Sequence, residues 1–226
     1  MKQEKSHILE AIIILLVIIT WLIGVITYAY APDIVPIHWN LEGKPDNYAP
    51  KDIGLFLLPI INTGLYLFLF FIPKIDPNNE QLQYSIKTLQ WIRLGTHALL
   101  GFIMLWTSLS IIEASNVQPE WLFSVISLFF AFLGKAMANV KQNYFVGIRT
   151  PWTLSNELVW DDTHRFTAPL WFYSGIGMAC ISAILSSMGF GAGIILTVFL
   201  IWIATIVIIP IAYSYKRFRE EKKSIQ

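Results

Sequence analysis

From residue 166 to residue 215 the chain carries no Asp, Glu, Lys or Arg. A run like this cannot cover a water-facing surface, and a helix needs about 20 apolar residues to cross the hydrocarbon core of a bilayer. Gly189, Gly191 and Gly193 interrupt the run, which predicts two spans. Charge-free stretches at residues 11–32, 53–73 and 94–112 each predict one more. Between Glu120 and Lys135 the uncharged stretch is short for a crossing. The fourth helix is therefore expected to run through Lys135 to about Asn139, with the ammonium snorkelling to the interface. Composition agrees, with 55 % apolar and 14 % charged residues and a mean hydropathy of +0.57. The expected fold class is all-α: a polytopic membrane protein with six transmembrane helices plus a short cytoplasmic interfacial helix.

A cleaved signal peptide competes for the first span, because Ala29-Tyr30-Ala31 resembles a small-residue cleavage site. Its apolar core exceeds the usual length of roughly 7 to 15 residues, and Pro32 would follow the cut, so a retained helix is expected. Every Lys and Arg except Lys44 and Lys51 falls at the termini, in the second-to-third connection and the start of the third helix, or in the fourth-to-fifth connection. The positive-inside rule makes that face cytoplasmic, which predicts a multi-pass cell-membrane protein with both termini inside. A net charge of +1 argues against direct nucleic-acid binding. The basic tail KRFREEKKSIQ reads as a topology anchor drawn to anionic lipid, so membrane lipids are expected partners. With Cys180 as the single cysteine, an intrachain disulfide and a CxxC metal site are excluded, and no metal or cofactor is expected. No repeat or linker divides the chain. It reads as one membrane domain, residues 1–226, with an N-terminal helical pair (1–73) and a four-helix part (89–215).

Two connections stand out. The outer one, PDIVPIHWNLEGKPDNYAPKD (residues 32–52), has prolines at four positions that forbid a long helix. Residues 35–39 are expected to be extended, with turns at 40–43 and 44–47, giving a small folded external cap. In it His38, Trp39, Asn40 and Asp46 offer an imidazole, an indole, an amide and a carboxylate. Two readings stay open. In one, Trp39 and Tyr48 sit at headgroup level while Asn40 and Asp46 satisfy loop backbone; in the other, the cap is a recognition surface.

The inner connection contains NYFVGIRTPWTLSN (residues 143–156). Thr150 suits an N-cap and Pro151 a first helical turn, predicting a helix from Pro151 to about Arg165. That helix would put Leu154 and Leu158 on one face and pair Asp161 with Arg165. Arg149 precedes it, where a positive charge opposes the helix dipole. An anion, either a lipid phosphate or an acidic side chain, held at the helix start with Gly147 allowing close approach is one reading. Arg149 reaching water or a helix C-terminus is the other. Ser155, Asp161 and His164 supply the residue types of a hydrolase triad, but GxSxG and HExxH patterns are absent, so no enzyme is expected. Arg93 and His97, spaced i,i+4, either line a path or site or let Arg93 snorkel. Small-solute or proton transport is therefore the alternative function.

VPIHWNLEGKPDNY resembles the domain of unknown function that accompanies SdpI-type proteins, through Pro36, His38, Trp39, Asn40, Gly43 and Asp46. NYFVGIRTPWTLSNELVWDDTHR is similar to the SdpI signature itself. The shared positions are Asn143, Tyr144, Phe145, Gly147, Ile148, Arg149, Thr150, Pro151, Trp152, Thr153, Leu154, Asn156, Trp160, Thr163, His164 and Arg165. With both motifs in order, the resemblance covers most of the chain. It implies a membrane immunity protein that protects against a secreted antimicrobial peptide toxin of the sporulation-delaying type. It also implies a signal, by capture of a cytoplasmic repressor. The implied partners are a toxin at the external loop and a repressor at the inner motif. Two departures stand out: Gly134-Lys135 where the family has Gly-Asn, and Thr167-Ala168-Pro169 where it has glycines. Helix packing at both ends of the signature is expected to differ.

Overall fold

The computed structural model describes residues 2–40, 44–75, 86–112 and 120–224, with side chains from residue 7 onward. The elements in chain order are α1 (Lys2–Tyr30), β1 (Ile34–Trp39), β2 (Pro45–Pro50), α2 (Lys51–Ile75), α3 (Ile86–Ile112), α4 (Glu120–Met137), α5 (Pro151–Ser155), α6 (Glu157–Ser187) and α7 (Ala192–Ser224). Six of the helices, α1 from His7 onward, α2, α3, α4, α6 and α7, are long and apolar enough to span a bilayer. This is an all-α polytopic membrane protein. Prolines lie inside α2, α6 and α7, which a membrane helix tolerates when neighbouring groups satisfy the freed backbone.

The spans form two groups of three. Helices α1, α2 and α3 pack together, α4 and α7 pack on α6, and α3 meets α4 between the groups. Apolar side chains such as Leu22, Ile201 and Ile208 face outward. Lipid tails are as apolar as leucine, so association inside the bilayer depends on close packing and hydrogen bonds. The α4–α6 crossing uses small residues: a Cβ on Gly134 would lie 2.7 Å from the Ala168 carbonyl oxygen, and one on Gly175 2.7 Å from the Ala131 nitrogen. Ala168, one of the departures, thus abuts Gly134 directly.

Residues 35–39 are extended, as expected, but residues 45–47 belong to a strand and not to a turn. β1 and β2 pair antiparallel from Ile34↔Pro50 to Trp39↔Pro45, with irregular register on both sides of His38. Both strands are edges of a two-stranded ribbon, where proline's missing N–H is tolerated. Val35 anchors the hairpin in a buried cluster with Ala31, Leu55, Met104 and Ile111, and Trp39 meets Trp106 of α3 edge-on at 5.0 Å.

The helix expected over residues 151–165 is broken. Asn156 is extended (φ −149, ψ 120), ending α5, and its side chain accepts a 3.1 Å hydrogen bond from the Val159 N–H to start α6. The interfacial helix is therefore one short turn, and residues 157–165 already belong to the fifth span. Leu154 and Leu158 consequently do not share a face. Leu154 packs against the Ile92, Met137, Val140 and Trp160 cluster, whereas Leu158 is exposed. Asp161 pairs with Lys141 at 3.3 Å, not with Arg165.

Candidate functional site

The connection between α4 and α6 is tied by its own side chains. Asn143 is buried; its Nδ2 donates to the carbonyls of Lys141 (2.8 Å) and Val146 (2.9 Å), and its Oδ1 accepts from the N–H groups of Phe145 (2.9 Å) and Val146 (2.7 Å). That fixes the chain as it enters Gly147, whose φ of +129 lies in the region glycine favours. A Cβ there would also come within 2.6 Å of His164 Nε2 and 2.7 Å of the Trp160 ring. Trp160 and His164, one helical turn apart on α6, stack with centroids 4.2 Å apart. Trp160 Nε1 donates to the Val140 carbonyl at 2.7 Å. His164 Nδ1 faces the Trp160 carbonyl at 2.8 Å, and Nε2 accepts the Ile148 N–H at 3.0 Å. A carbonyl needs a donor and an N–H needs an acceptor, so the imidazole is neutral with its proton on Nδ1.

Thr150 and Thr153 close the start of α5 as a capping box, the arrangement that satisfies the first free N–H groups. Thr153 Oγ1 also donates to the Ile148 carbonyl (2.7 Å), and Thr150 Oγ1 meets Ser214 of α7 at 3.2 Å. Arg149 is drawn back onto its own loop, to a partner that neither reading of it named. The helix start is already capped, and Arg149 Nη1 donates to the Tyr144 carbonyl at 2.6 Å. The triad residue types do not come together. Ser155 Oγ donates to Trp152 O (3.1 Å), Asp161 pairs with Lys141, and both His164 nitrogens are engaged on backbone.

Burial divides the motif. Asn143, Thr150, Thr153, Trp160, Thr163 and His164 are buried, while Tyr144, Arg149, Pro151 and Arg165 are exposed. Asn156 is half-buried in its capping role, and half-buried Trp152 rests on Tyr215 at 5.0 Å. On the hairpin, His38 Nδ1 meets Asp46 at 2.6 Å with both side chains exposed. Asn40 Oδ1 accepts the Lys44 N–H at 3.0 Å. Asp46 thus serves His38 and not the loop backbone. Pro36 and Trp39 line a cavity of about 260 Å³ between the hairpin, α2 and α3. Gly43 lies outside the described residues.

A second polar cluster, inside the α1–α2–α3 group, was only half visible in the sequence. Arg93 does not snorkel; it is buried, and its Nη1 and Nη2 donate to the two Glu10 oxygens at 2.8 Å each. The Tyr66 hydroxyl donates to the same carboxylate at 2.8 Å. One turn deeper, His97 Nδ1 donates to Asn62 Oδ1 (2.6 Å), and Asn62 Nδ2 donates to Thr20 Oγ1 (3.2 Å). Arg93 Nε and His97 Nε2 are buried without a hydrogen-bond partner. Glu10 precedes the first charge-free run by one residue. The available signal was Arg93 itself, since a buried guanidinium requires a carboxylate at its own depth.

Comparison with known proteins places this geometry. The model of the SdpI/YfhL protein family matches residues 139–214, which begin just before Val140 and hold the Asn143, Trp160 and His164 arrangement. Residues 139–214 are thus similar to the SdpI/YfhL family. A domain of unknown function (DUF1648) matches residues 15–63, which include the hairpin. The hairpin domain and the segment similar to SdpI thus occur in one chain, in that order. The chain is 27 % identical to "Immunity protein SdpI" of Bacillus subtilis (strain 168) over 179 residues, covering 79 % of this chain and 82 % of that relative. No solved structure matches the chain significantly.

Proposed function

We propose that the chain is an integral membrane immunity protein that protects its cell against a secreted antimicrobial peptide. The observation that carries this reading is the match to Immunity protein SdpI, which spans most of both chains. In this reading the protein sits in the cell membrane with both ends of the chain in the cytoplasm and the hairpin outside; the even number of candidate spans and the Lys and Arg bias support it. The hairpin then meets a toxin arriving from outside, through His38, Trp39, Asn40 and Asp46. The loop carrying Tyr144 and Arg149 faces the cytoplasm, where a repressor would dock on Tyr144, Arg149, Pro151 and Arg165. The buried residues of the motif, from Asn143 to His164, hold that surface in shape. Helix α3 links the two ends: Trp106 touches Trp39, while Ile92 packs with Val140 and Trp160.

Toxin-sensitive cells expressing the chain should survive exposure to a sporulation-delaying type peptide, and His38→Ala should weaken that survival at equal expression. Unchanged survival in the variant removes His38 from the contact, and no protection by the parent chain excludes that peptide as its target. One observation favours a second reading, proton or small-solute movement: the Glu10–Arg93–Tyr66 cluster with the unpartnered His97 Nε2 above it. Saturable flux into vesicles containing the purified protein would support transport over immunity.

A further inference from the structure

Between α3 and α4, at the ends nearest the termini, lies a cavity of about 410 Å³ lined by Thr88, Trp91, Phe132, Lys135, Ala136 and Asn139. The positions are periodic: Thr88 and Trp91 lie one turn apart on α3, and Phe132, Lys135, Ala136 and Asn139 follow at i, i+3, i+4 and i+7 along α4 and its end. The cavity closes toward the membrane interior where the Phe132 ring fills the space beside Gly95. Lys135 is in the last turn of α4 and Thr88 in the first turn of α3, so the cavity sits at the depth of lipid headgroups. Among the described residues no acidic side chain lines it, and Lys87, the residue before Thr88, is exposed.

We propose that this cavity binds the headgroup of an anionic phospholipid. The Lys135 ammonium pairs with the phosphate, and Thr88 and Asn139 offer hydrogen bonds to its oxygens. The acyl chains run over the exposed faces of Trp91 and Leu128. Charge complementarity selects this occupant: a basic pocket between spans at the interface matches a lipid phosphate, and an exposed tryptophan at headgroup level is at home beside it. Lys135 departs from the asparagine that the resemblance places there, so the site belongs to this chain's own sequence.

The test uses the full chain in nanodiscs of phosphatidylcholine with a minor fraction of phosphatidylglycerol, reading retained lipid by native mass spectrometry. The parent chain should retain phosphatidylglycerol preferentially. Lys135→Gln should reduce the preference about five- to tenfold, whereas Lys135→Arg and the tail variant Lys223→Gln should keep it. Equal retention by the parent and Lys135→Gln would overturn the proposal, and so would an equal fall in Lys223→Gln, which would mark a diffuse surface effect. Inorganic phosphate at millimolar concentration should not displace the lipid; displacement would mean a free-anion site and would also overturn it. If Lys135→Gln lost its fold, Thr88→Val would serve in its place, with a smaller drop expected and no drop counting against the site.

Discussion

Gly147 meets two demands that no other residue type can. Its positive φ and the 2.6 Å approach of a would-be Cβ to His164 Nε2 act together. Gly147→Ala is expected to destabilise the protein by about 3 kcal/mol or more, read as a lower Tm of the purified protein and less of it in the membrane. Trp160→Phe keeps the stack but leaves the Val140 carbonyl without its 2.7 Å donor, which should cost about 1–2 kcal/mol on the same readout. The pairing of Trp160 with His164 was legible in the sequence, because i,i+4 spacing on a helix needs no tertiary knowledge. The partner of Arg149 was not. The guanidinium folds back on Tyr144 only because Asn143 sets the path of the loop between them.

At the scale of elements, the start of α5 was readable from Thr150-Pro151, since a cap and a proline act locally. The break at Asn156 was hidden: a helical pattern continues on both sides of it, and only the extended backbone of one residue separates α5 from α6. Asn156→Ala should lower stability by about 1 kcal/mol, and Asn156→Asp should retain most of it, since a carboxylate also caps. Amide exchange at residues 157–160 would report the loosened turn directly. The hairpin was half legible for a related reason. Residues 35–39 read as extended, but Pro45 fell in an expected turn although it sits in an edge strand.

For the whole molecule, charge-free runs gave the number of spans, because the cost of charge in hydrocarbon acts on every helix alike. They did not reveal which helices face each other. The Glu10–Arg93 pair joins residues far apart in the chain, and nothing local in either segment names the other. Glu10→Ala leaves the guanidinium buried without its carboxylate and should cost about 3 kcal/mol. Glu10→Leu combined with Arg93→Met should recover most of that loss. A double variant as unstable as the single one would show that the two residues act separately. The measurement that bears most directly on the proposed function is membrane depolarisation of toxin-sensitive cells challenged with the peptide, comparing the parent chain with Arg149→Ala at equal membrane levels. Arg149 is exposed at the surface of a knot that other residues hold, so the parent should keep the membrane polarised while the variant fails and still purifies folded. Depolarisation with the parent chain, or full protection by the variant, would contradict an immunity protein acting through that face.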